Sequence, residues 1–515
     1  RDQPQGWSPF LREQRAKVRA YARTWRLSPA EISNCMRRHD LAEIVSDKTG
    51  NVTMIKRKGP TTMQLDMTKG RPLPVILRFT IPLVIGNVFQ QLYNMADTII
   101  VGRYVGAGAL AAVGSTGTIM FLLTGFSQGI TAGFSILISQ RYGAKDENGV
   151  KRAVANGIFL SIFFTLLLTF SCLFLMKLLL TVMNTPKNIF DDAYSYIMII
   201  TAGIVANIFY NLLSAYLRAV GNSKVPLFFL VFSACLNVIL DLFFIIRLHM
   251  GVSGAAWATN LAQAISAVLC AIYIWCKIPD LKPQRNQWKL SRIDTKNQLA
   301  AGIPMALQFA ITSSGTMIMQ SAINLFGSEA VAAYTAACKV HSLLTQGMVA
   351  MGQTMAVYSG QNYGKGDAKR IRDGVKAALL IDVIYSVVSA VLVSLLLGVT
   401  LGLFFSGDVD LTVMMPWART YITICTLFYI PLSTIFIFRN TMQGCGYGFL
   451  PMMGGVVELV ARLSVAMIAM RVHSYALSCF CDPAAWLSAG LFTGVSYLFV
   501  MKKIRASLEP KSVTV

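Results

Sequence analysis

Four polar side chains in the first half of the chain have the types and spacing to bind and release a small cation: Asp97, Asn237, Asp241 and Thr259. The run that holds Asp97 begins near Val75 and is bounded by Arg78 and Arg103, long enough to cross a bilayer as a helix. An ionised Asp in such a helix costs roughly 2.5–3.5 kcal/mol, so it needs a partner, a water-filled cavity or a proton. Rise per residue sets the depth. Asp97 lies six residues before Arg103 and Asp241 six before Arg247, each about 9 Å along a helix. Thr259 lies eight residues past Gly251, about 12 Å deep. Asn237 precedes Asp241 by four and shares its helix face. Two carboxylates, an amide and a hydroxyl therefore converge on one level. Two buried acids at short range can share a proton near neutral pH. The same oxygens suit a hard cation such as Na⁺, and residue types alone do not separate the two. A structural Asp satisfied inside a helix bundle is the competing reading of Asp97.

The elements that must position these groups are membrane helices. The chain has 515 residues, 55% of them hydrophobic and 14% charged, against about 25% charged in soluble domains. Apolar runs recur from residue 75 to residue 501. Run length and polar breaks give about twelve spans, near 75–101, 114–139, 153–181, 192–217, 225–246 and 253–276, then 298–326, 331–359, 373–405, 413–439, 449–471 and 484–501. The expected fold is an all-α polytopic membrane protein. Its parts are a polar, basic extension over 1–62, an N-lobe over 63–276, a linker over 277–297, a C-lobe over 298–505 and a tail over 506–515. The extension admits a short helix near Ser8–Arg26, and is expected to lie outside the transport unit or to act as a regulatory tail.

A net charge of +22 raises the question of nucleic acid, but the charges fall in alternate loops. Arg141, Lys145, Lys151 and Arg152 mark one loop as cytoplasmic, and Arg218 with Lys224, the linker, the cluster Lys365–Arg372 and Lys502-Lys503 mark the others. Both termini are then expected inside, in a plasma membrane, with no nucleic-acid partner. Most of the ten cysteines sit in apolar runs and pack as small hydrophobes, while Cys479 and Cys481 are expected in an outer loop. No zinc spacing, nucleophile elbow or phosphate-binding loop occurs, and the four histidines make no catalytic constellation, so no enzyme and no cofactor are expected.

The chain repeats itself. Ile81-Pro82-Leu83 is echoed by Ile303-Pro304-Met305, and Gln140-Arg141-Tyr142-Gly143 by Gln361-Asn362-Tyr363-Gly364, with Gly221 and Pro226 matched by Gly446 and Pro451. The offset stays near 221–225. Six spans per repeat makes both halves enter from the same side. Two six-helix lobes are then related by a pseudo-twofold axis along the membrane normal, with the substrate path between them. Pro82 lacks a backbone donor and should kink the first helix, so the charge state of Asp97 could select between straight and bent forms; a static kink is the plainer alternative. Glu458 and Arg462, spaced i,i+4, should neutralise each other, and Asp382 should reach the inner surface.

With these residues in view the chain resembles the multidrug and toxic compound extrusion (MATE) transporters, in their DinF-like branch, over about residues 63–505. The likeness rests on Ala96-Asp97-Thr98 with Ile81-Pro82, Gln140–Gly143, Leu217-Arg218-Ala219-Val220-Gly221-Asn222, Asn237 with Asp241, and Gly251-Val252-Ser253-Gly254-Ala255-Ala256. It implies an antiporter that expels organic cations or other small amphipathic substrates in exchange for H⁺ or Na⁺. The implied ion-coupling set is Asp97, Asn237, Asp241, Thr259 and Asn211, with Tyr93, Pro82 and Gln90 at the substrate cavity or its gate. A monomer in the lipid bilayer is expected. The competing function is a lipid-linked saccharide flippase of the related superfamily. That reading expects a cavity rich in arginine, and the mid-span regions read as nearly free of it.

Overall fold

The computed structural model describes residues 43–46, 52–55, 64–183, 185–402 and 411–508. The chain divides into two units, Arg1–Met63 and Gln64–Val515. In the first, β1 (Glu43–Ser46) pairs antiparallel with β2 (Val52–Ile55), Glu43 opposite Ile55 and Ser46 opposite Val52. The helix expected near Ser8–Arg26 lies outside the described residues.

The described residues of the second unit are helical, in chain order α1 (Pro72–Tyr104), α2 (Ala107–Gly143), α3 (Glu147–Val182), α4 (Phe190–Ala202), α5 (Ile204–Ala219), α6 (Lys224–Leu242) and α7 (Gly251–Lys277). There follow α8 (Arg292–Ile323), α9 (Gly327–Lys365), α10 (Ala368–Gly402), α11 (Leu411–Thr426), α12 (Tyr429–Gly444), α13 (Phe449–Val472), α14 (Tyr475–Cys479) and α15 (Cys481–Leu508). Eight rods are long and apolar enough to cross a membrane, and the bent pairs α4–α5 (46°) and α11–α12 (49°) bring the number to ten. The 32-residue α8 and 39-residue α9 are as long but more polar, because they carry Gln308, Thr312 and Gln353 to the centre of the molecule. With them the rods number the twelve read from the sequence. Side chains such as Phe174 (82% exposed) and Leu395 (75%) stud the outer surface, as hydrocarbon rather than water would allow.

Local chemistry ends the helices where the repeat predicts. Gly221 (φ 85°) and Gly446 (φ 89°) follow α5 and α12 in the left-handed region that favours glycine. Asp146 caps α3 by accepting from the Gly149 amide at 2.8 Å. At the bend between α4 and α5, Asn260 of α7 donates at 2.6 Å to the Ile199 carbonyl, which also accepts from the Gly203 amide at 3.1 Å. α1 runs unbroken through Pro82. The expected linker is folded: Ile278 and Leu281 are buried, and Arg141 forms an ion pair with Asp294 at the start of α8. Cys479 and Cys481 are buried, unpaired thiols in α14 and α15 rather than loop residues, since the chain there is two helices end to end.

The lobes meet in reciprocal contacts, α2 against α8 and α1 against α9, with α2 and α9 crossing at the centre. At the end of the bundle that carries the basic loops, this symmetry is atomic. Gln140 donates to the Gly444 carbonyl at 2.9 Å, and its counterpart Gln361 donates to the Ala219 carbonyl at 2.8 Å. A Cβ at Gly143 would collide with the Gln361 carbonyl oxygen, and one at Gly364 with that of Gln140, so the crossing requires glycine on both sides. The segment before α1 lies across the same end. The Leu65 amide donates to the Gly221 carbonyl at 2.9 Å, the Met67 amide to Gln361 Oε1 at 3.1 Å, and Arg370 to the carbonyls of Met67, Lys69 and Gly70.

Candidate functional site

α1, α6 and α7 pack together in the first lobe and carry the residues singled out by depth. Asp241 is fully buried, Asn237 nearly so, and Asp97 half-buried. Asp241 stands on the last turn of α6, next to the π-helical turn Phe243–Arg247, whose looser winding is frequent beside functional groups. With the Asn237 amide oriented by its neighbours, its oxygen accepts from the Thr259 amide and hydroxyl at 3.2 Å each, and its nitrogen donates to Asp241 Oδ2 at 3.0 Å. Tyr93, one turn before Asp97, hydrogen-bonds Thr259. The carboxyl groups of Asp97 and Asp241 hydrogen-bond to each other. Two carboxylates share a hydrogen bond only when one carries a proton. Oδ1 of each acid remains buried without a protein partner, which leaves two oxygens for a proton or a cation. Among the described residues no group of three or more His, Cys, Asp or Glu side chains could hold a metal.

Between the lobes lies a cavity of about 370 Å³, within the size range of small-molecule sites. Pro82, Gln90 and Asn211 line it. The structure thus places Asn211 on the cavity wall, because it shares the α5 face of Ser214, Ala215 and Arg218, and Tyr93 against the acids. Amides connect the two places. Asn211 donates to Asn207 Oδ1 at 3.2 Å, and Asn207 donates to Gln263 Oε1 at 3.2 Å. Gln263 lies one turn from Thr259 on α7.

Arg218 and Arg439, one from each lobe, both line the cavity. From the sequence alone Arg218 reads as a loop residue and the mid-span regions as nearly free of arginine. The helices in fact continue past both residues, to Ala219 and Gly444, and carry the guanidinium groups inward. Gln308, its amide oriented by its neighbours, accepts from Arg439 Nη1 and Nε at 3.1 Å each, and the Phe436 ring lies 5.1 Å from the guanidinium carbon.

Two other intramembrane charges differ from expectation. Arg462 binds Glu458 at 3.0 Å as its spacing predicts, but also Asp482 of α15 at 2.8 Å. That tertiary contact left no mark in local sequence. Asp382 does not reach the surface: it is 1% exposed, about 21 Å into α10, with Oδ2 and the hydroxyl of Ser386 both unpartnered.

The MatE family model matches residues 82–243 and 304–468, one stretch in each lobe. A probable multidrug resistance protein, YpnP of Bacillus subtilis, is 30% identical over 308 residues, 59% of this chain and 68% of that protein. The DNA damage-inducible protein F of Escherichia coli is 24% identical over 62% of this chain and 72% of its own length. A crystal structure of MATE in complex with MaL6 superposes with a TM-score of 0.81 at 22% identity, covering 86% of this chain and all of that one, a likeness of fold. The paired matches fall on the two copies of the internal repeat. This chain belongs to the MatE family, the multidrug and toxic compound extrusion transporters.

Proposed function

We propose that this multidrug-efflux-family chain is an antiporter of the plasma membrane that couples the entry of H⁺ or Na⁺ to the export of small amphipathic molecules by alternating access. The observation that carries the reading is the Asp97–Asp241 pair. It is a titratable site with two unpartnered oxygens, set inside one lobe and linked by amides toward the cavity between the lobes. Loading an ion there changes the charge inside a packed helix group, and the structure can respond by re-aiming α1, which carries both Asp97 and the cavity residues Pro82 and Gln90. The basic loops support an orientation with that end in the cytoplasm. The reciprocal contacts of Gln140 and Gln361 suit a state closed on that side.

The test is efflux of a fluorescent amphipath from inverted vesicles under an imposed proton or sodium gradient, comparing the parent with Asp97→Asn. Substrate binding is expected to persist while gradient-driven transport falls to background. Undiminished gradient-driven transport by the Asn variant would sink the assignment.

A further inference from the structure

The central cavity carries an uncompensated positive charge. Among the described residues its two charged lining residues are Arg218 and Arg439, one from each lobe, and no carboxylate lines it. The acids of the first lobe stand behind the wall, at Asp97 and Asp241. No salt bridge involves Arg218 or Arg439 among the described residues. Arg439 is held by a neutral amide and an aromatic face, and Glu458, the carboxylate acting on it, is hydrogen-bonded to Arg462 at 3.0 Å. Half-buried guanidinium groups without a counter-ion are costly, so two of them facing one cavity from opposite lobes suit an anion that arrives from outside the protein. Around them stand Phe121, Phe309, Phe436, Leu83 and Met305, an apolar wall for the rest of a ligand.

We propose that the cavity selects amphipathic organic anions, an apolar body bearing a carboxylate, sulfonate or phosphate group held by Arg218 and Arg439. This reverses the charge expected from the family resemblance. It rests on the reading of the cavity as the transport path and concerns only what that path accepts. A planar guanidinium offers paired donors that match such groups, and their placement on opposite lobes lets one anion contact both halves of the transporter.

The experiment uses the full chain in nanodiscs and two xanthene dyes of similar shape and opposite charge, carboxyfluorescein and rhodamine 6G, with binding read by fluorescence anisotropy. The parent is expected to bind the anion more tightly than the cation. Combined Arg218→Gln and Arg439→Gln is expected to weaken anion binding on the order of ten-fold or more, with cation binding unchanged or improved and the melting temperature retained. Arg218→Lys with Arg439→Lys should restore part of the affinity. Preference of the parent for rhodamine 6G, or anion binding unaffected in the double Gln variant, would overturn the proposal. Discs of phosphatidylcholine and of phosphatidylglycerol separate the sources: loss of dye binding only in phosphatidylglycerol identifies a lipid headgroup as occupant, and equal binding in both identifies a soluble anion. Binding needs no gradient. Selective anion binding together with gradient-independent flux would therefore support this inference while defeating the antiport reading.

Discussion

Asp97 and Asp241 share a site in which, among the described residues, no salt bridge reaches either acid; a neutral amide, Asn237, holds Asp241 Oδ2 and leaves Oδ1 of both acids unpartnered. Arg462 is the opposite arrangement, a buried cation claimed by two carboxylates. Arg462→Met would leave Glu458 and Asp482 buried and unpaired, and is expected to cost about 3–5 kcal/mol, read as a lowered unfolding midpoint in detergent. Unchanged stability would mean that the triad is hydrated. Asp97 and Asp241 were legible in the sequence because an apolar run measures depth, and equal depth in neighbouring helices is nearly proximity. Arg218 and Asp482 were not. The first sits within one turn of a helix end, where boundaries read from composition slip by two to four residues, and the second meets Arg462 only through the packing of α13 against α15.

At the scale of elements, the broken rods occur in matched places, α4–α5 in one lobe and α11–α12 in the other, and beside the first break Asn207 and Asn260 make polar contacts to α7 and α4. Asn207 just after that break holds Gln263 at 3.2 Å, and so joins the cavity wall to the helix that carries Thr259. Gln263→Leu keeps the α7 helix and removes the link. Coupled counterflow is expected to fall several-fold, with dye binding retained; coupling that stays intact would show that the amides are packing alone. The run lengths in the sequence predicted these helices well, but not the bends, because Gly203 and Phe428 resemble many other residues in apolar runs. Nor did they anticipate the folded linker, whose order comes from the ion pair of Asp294 with Arg141 and from Asn156, which accepts from the Ser291 amide at 3.0 Å.

At the scale of the whole molecule, the internal repeat is the largest feature that the sequence disclosed, because an offset of 221–225 is visible without any structure. What it did not disclose is that Gln140 and Gln361 each reach into the opposite lobe. Gln361→Ala removes the bonds to the Ala219 carbonyl and the Met67 amide together. It is expected to speed thiol labelling from the basic side, at a cysteine introduced at the cavity position Ser139, by several-fold; Gly364→Ala should act in the same direction through its collision with Gln140. Labelling that is no faster in either variant would show that this seam does not govern entry.

Since each half of the seam answers the other, it forms a clasp with two matched hooks, one of which, Gln361, also holds the Met67 amide. Each lobe holds a backbone carbonyl of the other, so that end of the molecule parts only when both hooks let go. A transporter with such a clasp leaks little between strokes, whatever cargo it moves.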